Sequence, residues 1–171
     1  MGSGGRQGGP KGPRDPDASA YEAALRLIAH RDRTVHEVRT RLADKGHAAG
    51  AVEAAVARLK RIGYLDDAAY CERYIAEILA LRPAGRRFIM ARLRLRGAHP
   101  AVIRAALERA YPEGAGEEMA YRVAVKRVKR YRGEEPAARR RKLAGFLSRR
   151  GFDYDDVQKA LRRVLGELDE E

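Results

Sequence analysis

Apolar positions along this chain recur at spacings of three and four, and one arrangement of them returns three times. Val38-x3-Leu42-x3-Gly46 shares its frame with Ile89-x3-Leu93-x3-Gly97 and with Leu143-x3-Leu147-x3-Gly151. The match continues beyond each glycine. Six residues on stand Val52, Ile103 and Val157, nine on stand Ala55, Ala106 and Ala160, and ten on stand Val56, Leu107 and Leu161. Spacings of this kind put side chains on one face of a helix. A glycine at a fixed offset suits the left-handed residue that closes a helix. The pattern predicts an all-α protein of three tandem three-helix repeats, at 20–65, 66–114 and 115–171. No segment shows the period of two expected of a strand.

Within that frame the predicted helices are 20–30, 34–45 and 50–62, then 67–81, 85–96 and 100–110, then 117–131, 136–150 and 155–165. Thr34 with Glu37 three residues later forms a capping-box pattern. Pro100 suits a first helical turn. A unit of about 50 residues buries little surface alone, so the units are expected to pack on their neighbours. Residues 1–19 carry six glycines and three prolines but no Leu, Ile, Val or Phe. They read as a disordered tail, because such a segment cannot bury enough apolar surface to offset its ordering entropy. Its glycines do not make a phosphate loop, which needs a preceding strand and a following Lys-Ser or Lys-Thr.

Charge changes the picture next. The 171 residues hold 36 Lys and Arg against 24 Asp and Glu, a formal net charge of +12. Each predicted repeat has an excess: 9 basic against 5 acidic residues in the first, 9 against 6 in the second and 15 against 11 in the third. A positive field spread along the array favours a long contact with a polyanion or an acidic protein surface. No apolar stretch approaches the ~20 residues of a membrane span, and the start has no secretory apolar core. The expectation is a soluble, cytoplasmic protein with no membrane partner.

Candidate chemistry is sparse. His30, His36, His47 and His99 are scattered, and metal binding or nucleophile activation needs convergence. The lone Cys71 excludes an intrachain disulfide and reads as a buried hydrophobe. Asp66-Asp67 reads as the N-cap and first-turn acid of the next helix, since no third ligand accompanies the pair. No catalytic residue, metal site, cofactor or enzyme activity is expected.

Basic residues are the remaining candidates. With Ile89 and Leu93 facing the core, Arg87 and Arg94 point away from it. Arg122, Lys126 and Lys129 form a stripe opposite Ala124, Val128 and Tyr131, and Arg139, Arg140, Arg141 and Lys142 form a run beyond Pro136. These nine are the candidate partner- or DNA-binding residues. Lys45, Arg96 and Arg150, each preceding a repeat glycine, are explained locally: a cation in the last turn stabilises the helix dipole by about 0.3–1 kcal/mol. Base-edge readers such as Asn or Gln near helix starts are missing, with no Asn and only Gln7 and Gln158 in the chain. Backbone or acidic-surface contact therefore suits the cations better than sequence reading. The alternative reading is a DNA-binding transcriptional regulator built of helix-turn-helix-like units.

The string Gly63-Tyr64-Leu65-Asp66-Asp67 followed by Tyr70 resembles the junction of the first two repeats in the RecX regulatory proteins. Arg31-Asp32-Arg33-Thr34 with Glu37, Leu42 and Gly46 is similar to that family's first repeat. Gly85-x3-Ile89-x3-Leu93-x3-Gly97 is similar to its second, and Leu143-x2-Phe146-Leu147-x2-Arg150-Gly151-Phe152 to its third. The resemblance covers about residues 20–165. It departs at Ala98, where many members carry Ile or Val. It implies an elongated, curved array that binds within the groove of the RecA–single-stranded-DNA filament. There it would block extension or promote disassembly, lowering RecA's ATPase, strand-exchange and co-protease activities and so modulating recombination, DNA repair and the SOS response. It also implies direct binding of single- and double-stranded DNA with little sequence preference. The protein is expected to be a monomer.

Overall fold

The structure is a computed structural model and describes residues 15–111 and 114–169. All regular structure among these residues is helical. They fall into two compact units, divided between Leu65 and Asp66.

The first unit holds α1 (Pro16–His30), α2 (Val35–Asp44) and α3 (Ala49–Arg61). Its core sets the small residues Ala20, Ala23 and Ala24 of α1 against Val52, Ala55, Val56 and Leu59 of α3, with Val35, Val38 and Leu42 of α2 closing it. Alanine on the facing helix lets the backbones approach closely, so a core whose fully buried residues carry no ring still fills, with Tyr21 packed against its edge. Thr34, fully buried, accepts from the Glu37 amide at 3.1 Å, and the Glu37 carboxylate accepts from the Thr34 amide at 3.2 Å. Arg31 pairs with Glu37 at 2.9 Å. Arg33 donates through Nε to the Leu27 carbonyl at 2.9 Å, satisfying the end of α1. The Arg31-Asp32-Arg33-Thr34 string is thus a joint between two helices.

α1 begins within the segment expected to be tail. Asp15 accepts from the Asp17 amide at 3.0 Å, and Pro16 occupies the first turn. That Asp-Pro start overrides the glycine-rich composition upstream. Residues 1–14 of the expected tail lie outside the described residues.

The second unit holds α4 (Asp67–Leu81), α5 (Arg86–Leu95), α6 (Pro100–Ala110), α7 (Ala115–Val128), α8 (Pro136–Arg149) and α9 (Tyr154–Asp169), with a 3-10 turn over Lys129–Tyr131. That turn ends α7 as an α-helix earlier than the periodicity suggested. The unit has two cores. One gathers Tyr70, Cys71 and Ile75 with Ile89, Leu93, Ile103 and Leu107. The other gathers Ala120, Ala124 and Val128 with Leu143, Leu147, Phe152, Val157 and Leu161. Asp66 caps α4, accepting from the amides of Ala68 at 2.8 Å and Ala69 at 3.1 Å.

The three frame glycines close α2, α5 and α8 in the same way. The Gly46 amide donates to Ala43 and the His47 amide to Leu42; Gly97 and Ala98 repeat this onto Arg94 and Leu93, and Gly151 and Phe152 onto Ser148 and Leu147. This is the Schellman arrangement. The large apolar residue four before each glycine, Leu42, Leu93 or Leu147, is fully buried in the core of its own repeat.

Candidate nucleic-acid and partner interface

Two core-bearing halves of the second unit meet along a seam of backbone. The Gly85 amide donates to the Arg150 carbonyl at 2.8 Å, and the Arg87 amide donates to the Gly151 carbonyl at 3.2 Å. Free N–H groups at the start of α5 therefore satisfy free carbonyls at the end of α8. No side chain fits between them. A Cβ on Gly85 would lie 2.0 Å from the Gly151 oxygen, and one on Gly151 would lie 2.2 Å from the Phe88 nitrogen. Arginines bind the seam from both sides. Arg150 donates to the Pro83 carbonyl at 2.7 Å, and Arg87 donates to the Phe152 carbonyl at 2.9 Å while its Nε stands 3.2 Å from Asp153. Arg86 reaches the Tyr111 carbonyl at 2.5 Å, and the Tyr111 hydroxyl donates to the Ala84 carbonyl. Burial pushes the Tyr111 hydroxyl up to about 12, so it stays protonated and a donor.

Beside the seam lies a cleft of about 370 Å³, lined by Leu81, Arg82 and Pro83, by Arg122, Val123, Lys126, Arg127 and Arg130, and by Phe146 and Arg150. Six of the ten are cations and none is acidic. Two of the arginines are held in place. Arg127 lies 4.6 Å from the Phe146 ring centroid and donates through Nε to the Tyr131 hydroxyl at 3.2 Å. Arg150 lies 6.0 Å from the same ring, and its buried Nε has no hydrogen-bond partner. Arg82, Arg122, Lys126 and Arg130 are exposed, and no side-chain hydrogen bond, ion pair or ring contact engages them among the described residues. Uncompensated cations around a concave, partly apolar wall concentrate positive potential there.

The nine candidate residues divide sharply. Arg122 and Lys126 line the cleft, whereas Lys129 is exposed in the 3-10 turn and lies outside the lining. Arg87 is occupied at the seam. Arg139 donates to the carbonyls of Arg132 and Glu134, Arg140 to the Gln158 side chain at 2.8 Å, and Lys142 to Glu134. The basic run thus serves largely to hold the turn before α8 and to join α8 to α9. Only Arg141 of that run, like Arg94 on α5, is exposed without such a contact.

Arg82, Arg127, Arg130 and Arg150 join the site although their pattern did not single them out as contact residues. Arg150 in particular does more than complement a dipole, because it spans from α8 to the α4–α5 turn. Arg127 had a legible cue, Tyr131 four residues on. Elsewhere the chemistry is quiet. Among the described residues no group of three or more His, Cys, Asp or Glu could hold a metal ion, and no helix is long and apolar enough to cross a membrane. His99 caps α6 through Nδ1, and the buried Cys71 thiol is pushed up to about 11 by desolvation, then by Asp67 and Glu72.

These features define a class: an all-helical repeat protein whose second unit locks its two cores together at a glycine–arginine seam beside a cation-lined cleft. The family description "RecX, first three-helix domain" matches residues 20–59, and "RecX, third three-helix domain" matches residues 115–161. The Regulatory protein RecX of Pelodictyon phaeoclathratiforme is 34% identical over 85% of this chain and 89% of its own. That of Trichlorobacter lovleyi is 36% identical over 85% of this chain and 96% of its own. The chain belongs to the RecX family. In three dimensions it is similar to RecX from Lactobacillus salivarius, with a TM-score of 0.82 at 22% identity, covering 89% of this chain and 98% of that one. A second regulatory protein RecX structure gives 0.76 at 26% identity, covering 85% of this chain and 71% of that one.

Proposed function

We propose that this chain is a non-catalytic regulator that binds the RecA–single-stranded-DNA filament and inhibits RecA's filament extension, ATPase and strand exchange. Membership of a family of regulatory proteins is the observation that carries the reading, since relatives named Regulatory protein RecX align along nearly their whole length. Two further features support it. The excess positive charge suits a filament containing nucleic acid. Its exposed cations at Arg94, Arg122, Lys126, Lys129, Arg130 and Arg141 leave guanidinium and ammonium groups unspent for such a partner. The protein would act in the cytoplasm, as a monomer, by occupying a surface and not by turning over a substrate.

The test is strand exchange by RecA between a circular single strand and a homologous linear duplex, with the protein added before or after filament assembly. Inhibition in both orders, rising with the ratio of protein to filament, is the expected result. Unimpaired exchange at saturating protein contradicts the proposal.

A further inference from the structure

The seam between the start of α5 and the end of α8 is built differently from the cores on either side of it. We propose that it is a latch: the second and third repeats part along it as intact three-helix bodies, and the cleft beside it exists only while the latch is shut. Leu81, Arg82 and Pro83 of one repeat form one wall of that cleft, and α7 and α8 of the other form the rest. Parting the repeats therefore takes its walls apart. The device goes beyond the filament reading and is tested without RecA.

Each body has its own core. Among the described residues the fully buried apolar side chains of this unit fall into two sets, one within each repeat. Ala115 and Met119 of α7, both partly exposed, pack across onto the core of the second repeat. The first repeat, built on the same frame, forms a compact unit by itself, so three helices of this length hold a core. Gly114 stands where the chain passes from the second repeat to the third. It is exposed and left-handed, and nothing lies within 4 Å of a Cβ built on it. Such a residue absorbs the turning that parting requires.

What holds the seam is largely polar. The Gly85 and Arg87 amides donate to the carbonyls of Arg150 and Gly151, and the Arg150 and Arg87 side chains donate to the carbonyls of Pro83 and Phe152. The side chains of the Arg87–Asp153 pair are 62% and 50% exposed, so solvent screens it. Water replaces each partner on opening, and the net hold of each bond is modest. Buried leucines and isoleucines have no such substitute. The seam therefore yields before the cores do. Gly85 separates the two experimentally. Its φ of −73° suits any residue, yet a Cβ there would enter the Gly151 carbonyl. The three atoms nearest that Cβ all belong to the other repeat, so a methyl group blocks the shut seam.

The test is amide hydrogen exchange read by NMR on the full chain, comparing Gly85→Ala and Arg150→Ala with the unaltered protein. In the unaltered protein the Gly85 and Arg87 amides should be at least about 100-fold less protected than those of Leu93 and Leu147. Gly85→Ala should strip protection from the Arg87 amide and leave Leu93 and Leu147 protected, with helix content by circular dichroism unchanged. Arg150→Ala, the milder variant, should speed exchange at Gly85 and Arg87 about tenfold and leave Leu93 and Leu147 as they were. Spin labels at Arg94→Cys on α5 and Arg141→Cys on α8, in a Cys71→Ala background, tell parting of the repeats from fraying of α5. They should report one distance with the seam unaltered and a second, dominant one in Gly85→Ala. Three outcomes overturn the proposal: seam amides as protected as Leu93 and Leu147, loss of protection at Leu93 or Leu147 in either variant, or an unchanged label distance in Gly85→Ala.

Discussion

Lys45-Gly46 in the first repeat and Arg150-Gly151 in the third stand at the same point of the same frame. Both glycines take a left-handed φ, +81° and +77°, and both close their helices with the same pair of hydrogen bonds. Their surroundings differ. Nothing lies within 4 Å of a Cβ built on Gly46, whereas one on Gly151 would enter the backbone of Phe88. Lys45 is exposed, while Arg150 reaches across to Pro83, packs on Phe146 and lines the cleft. One repeat uses the turn to end a helix; the other also uses it to join two repeats. Repetition in a sequence reveals a shared local solution. It does not reveal which copy has acquired an additional task.

The largest expected effect separates the two glycines. Gly151→Ala combines left-handed strain with a backbone collision and should cost about 4 kcal/mol, enough to abolish cooperative melting of the second unit. Gly46→Ala meets strain alone and should cost about 1 kcal/mol. Denaturant titrations of the two variants check the difference, and equal losses would break the comparison.

The next effect concerns the preceding cations. Arg150→Ala removes a bond to a carbonyl and the packing on Phe146, so about 1–2 kcal/mol should be lost. Lys45→Ala should cost no more than about 0.5 kcal/mol. Thermal melts of each variant measure both.

A smaller effect tests the cores by pH. The folded-state Cys71 thiol titrates at about 11 and the Tyr111 hydroxyl at about 12, each above its ordinary value of 9.0 or 10.0. The folded state therefore retains these protons where the unfolded chain releases them. Their contribution to stability is complete below pH 9.0 and is lost as pH rises towards 11 and 12. Melting temperature should fall across that window. Cys71→Ala should shallow the first part of the fall, after allowance for the cavity it leaves.

Much of the fold was legible because its signals are local. Thr34 with Glu37, Asp66 before α4, Pro100 at the start of α6 and the glycine frame all act within a few residues, and the structure places each as its chemistry requires. The start of α1 was obscured because the composition of residues 1–19 outweighed the short Asp15-Pro16 signal. The site was far less legible. Arg87 meets Phe152, 65 residues away, and Arg150 meets Pro83, 67 away. Helical periodicity says which cations face outward. It carries no information about which of them find a carbonyl or a carboxylate on another helix. Arg139, Arg140 and Lys142 looked equivalent to Arg141 for that reason, and Arg130 and Lys129 could not be told apart across the 3-10 turn.

The central claim is that this chain regulates RecA by occupying its filament. The most direct measurement is RecA's ATPase on single-stranded DNA, followed as the purified protein is titrated in. The predicted result is inhibition that deepens with the ratio of protein to filament and approaches saturation near stoichiometric amounts. An ATPase rate that stays unchanged at saturating protein would contradict it.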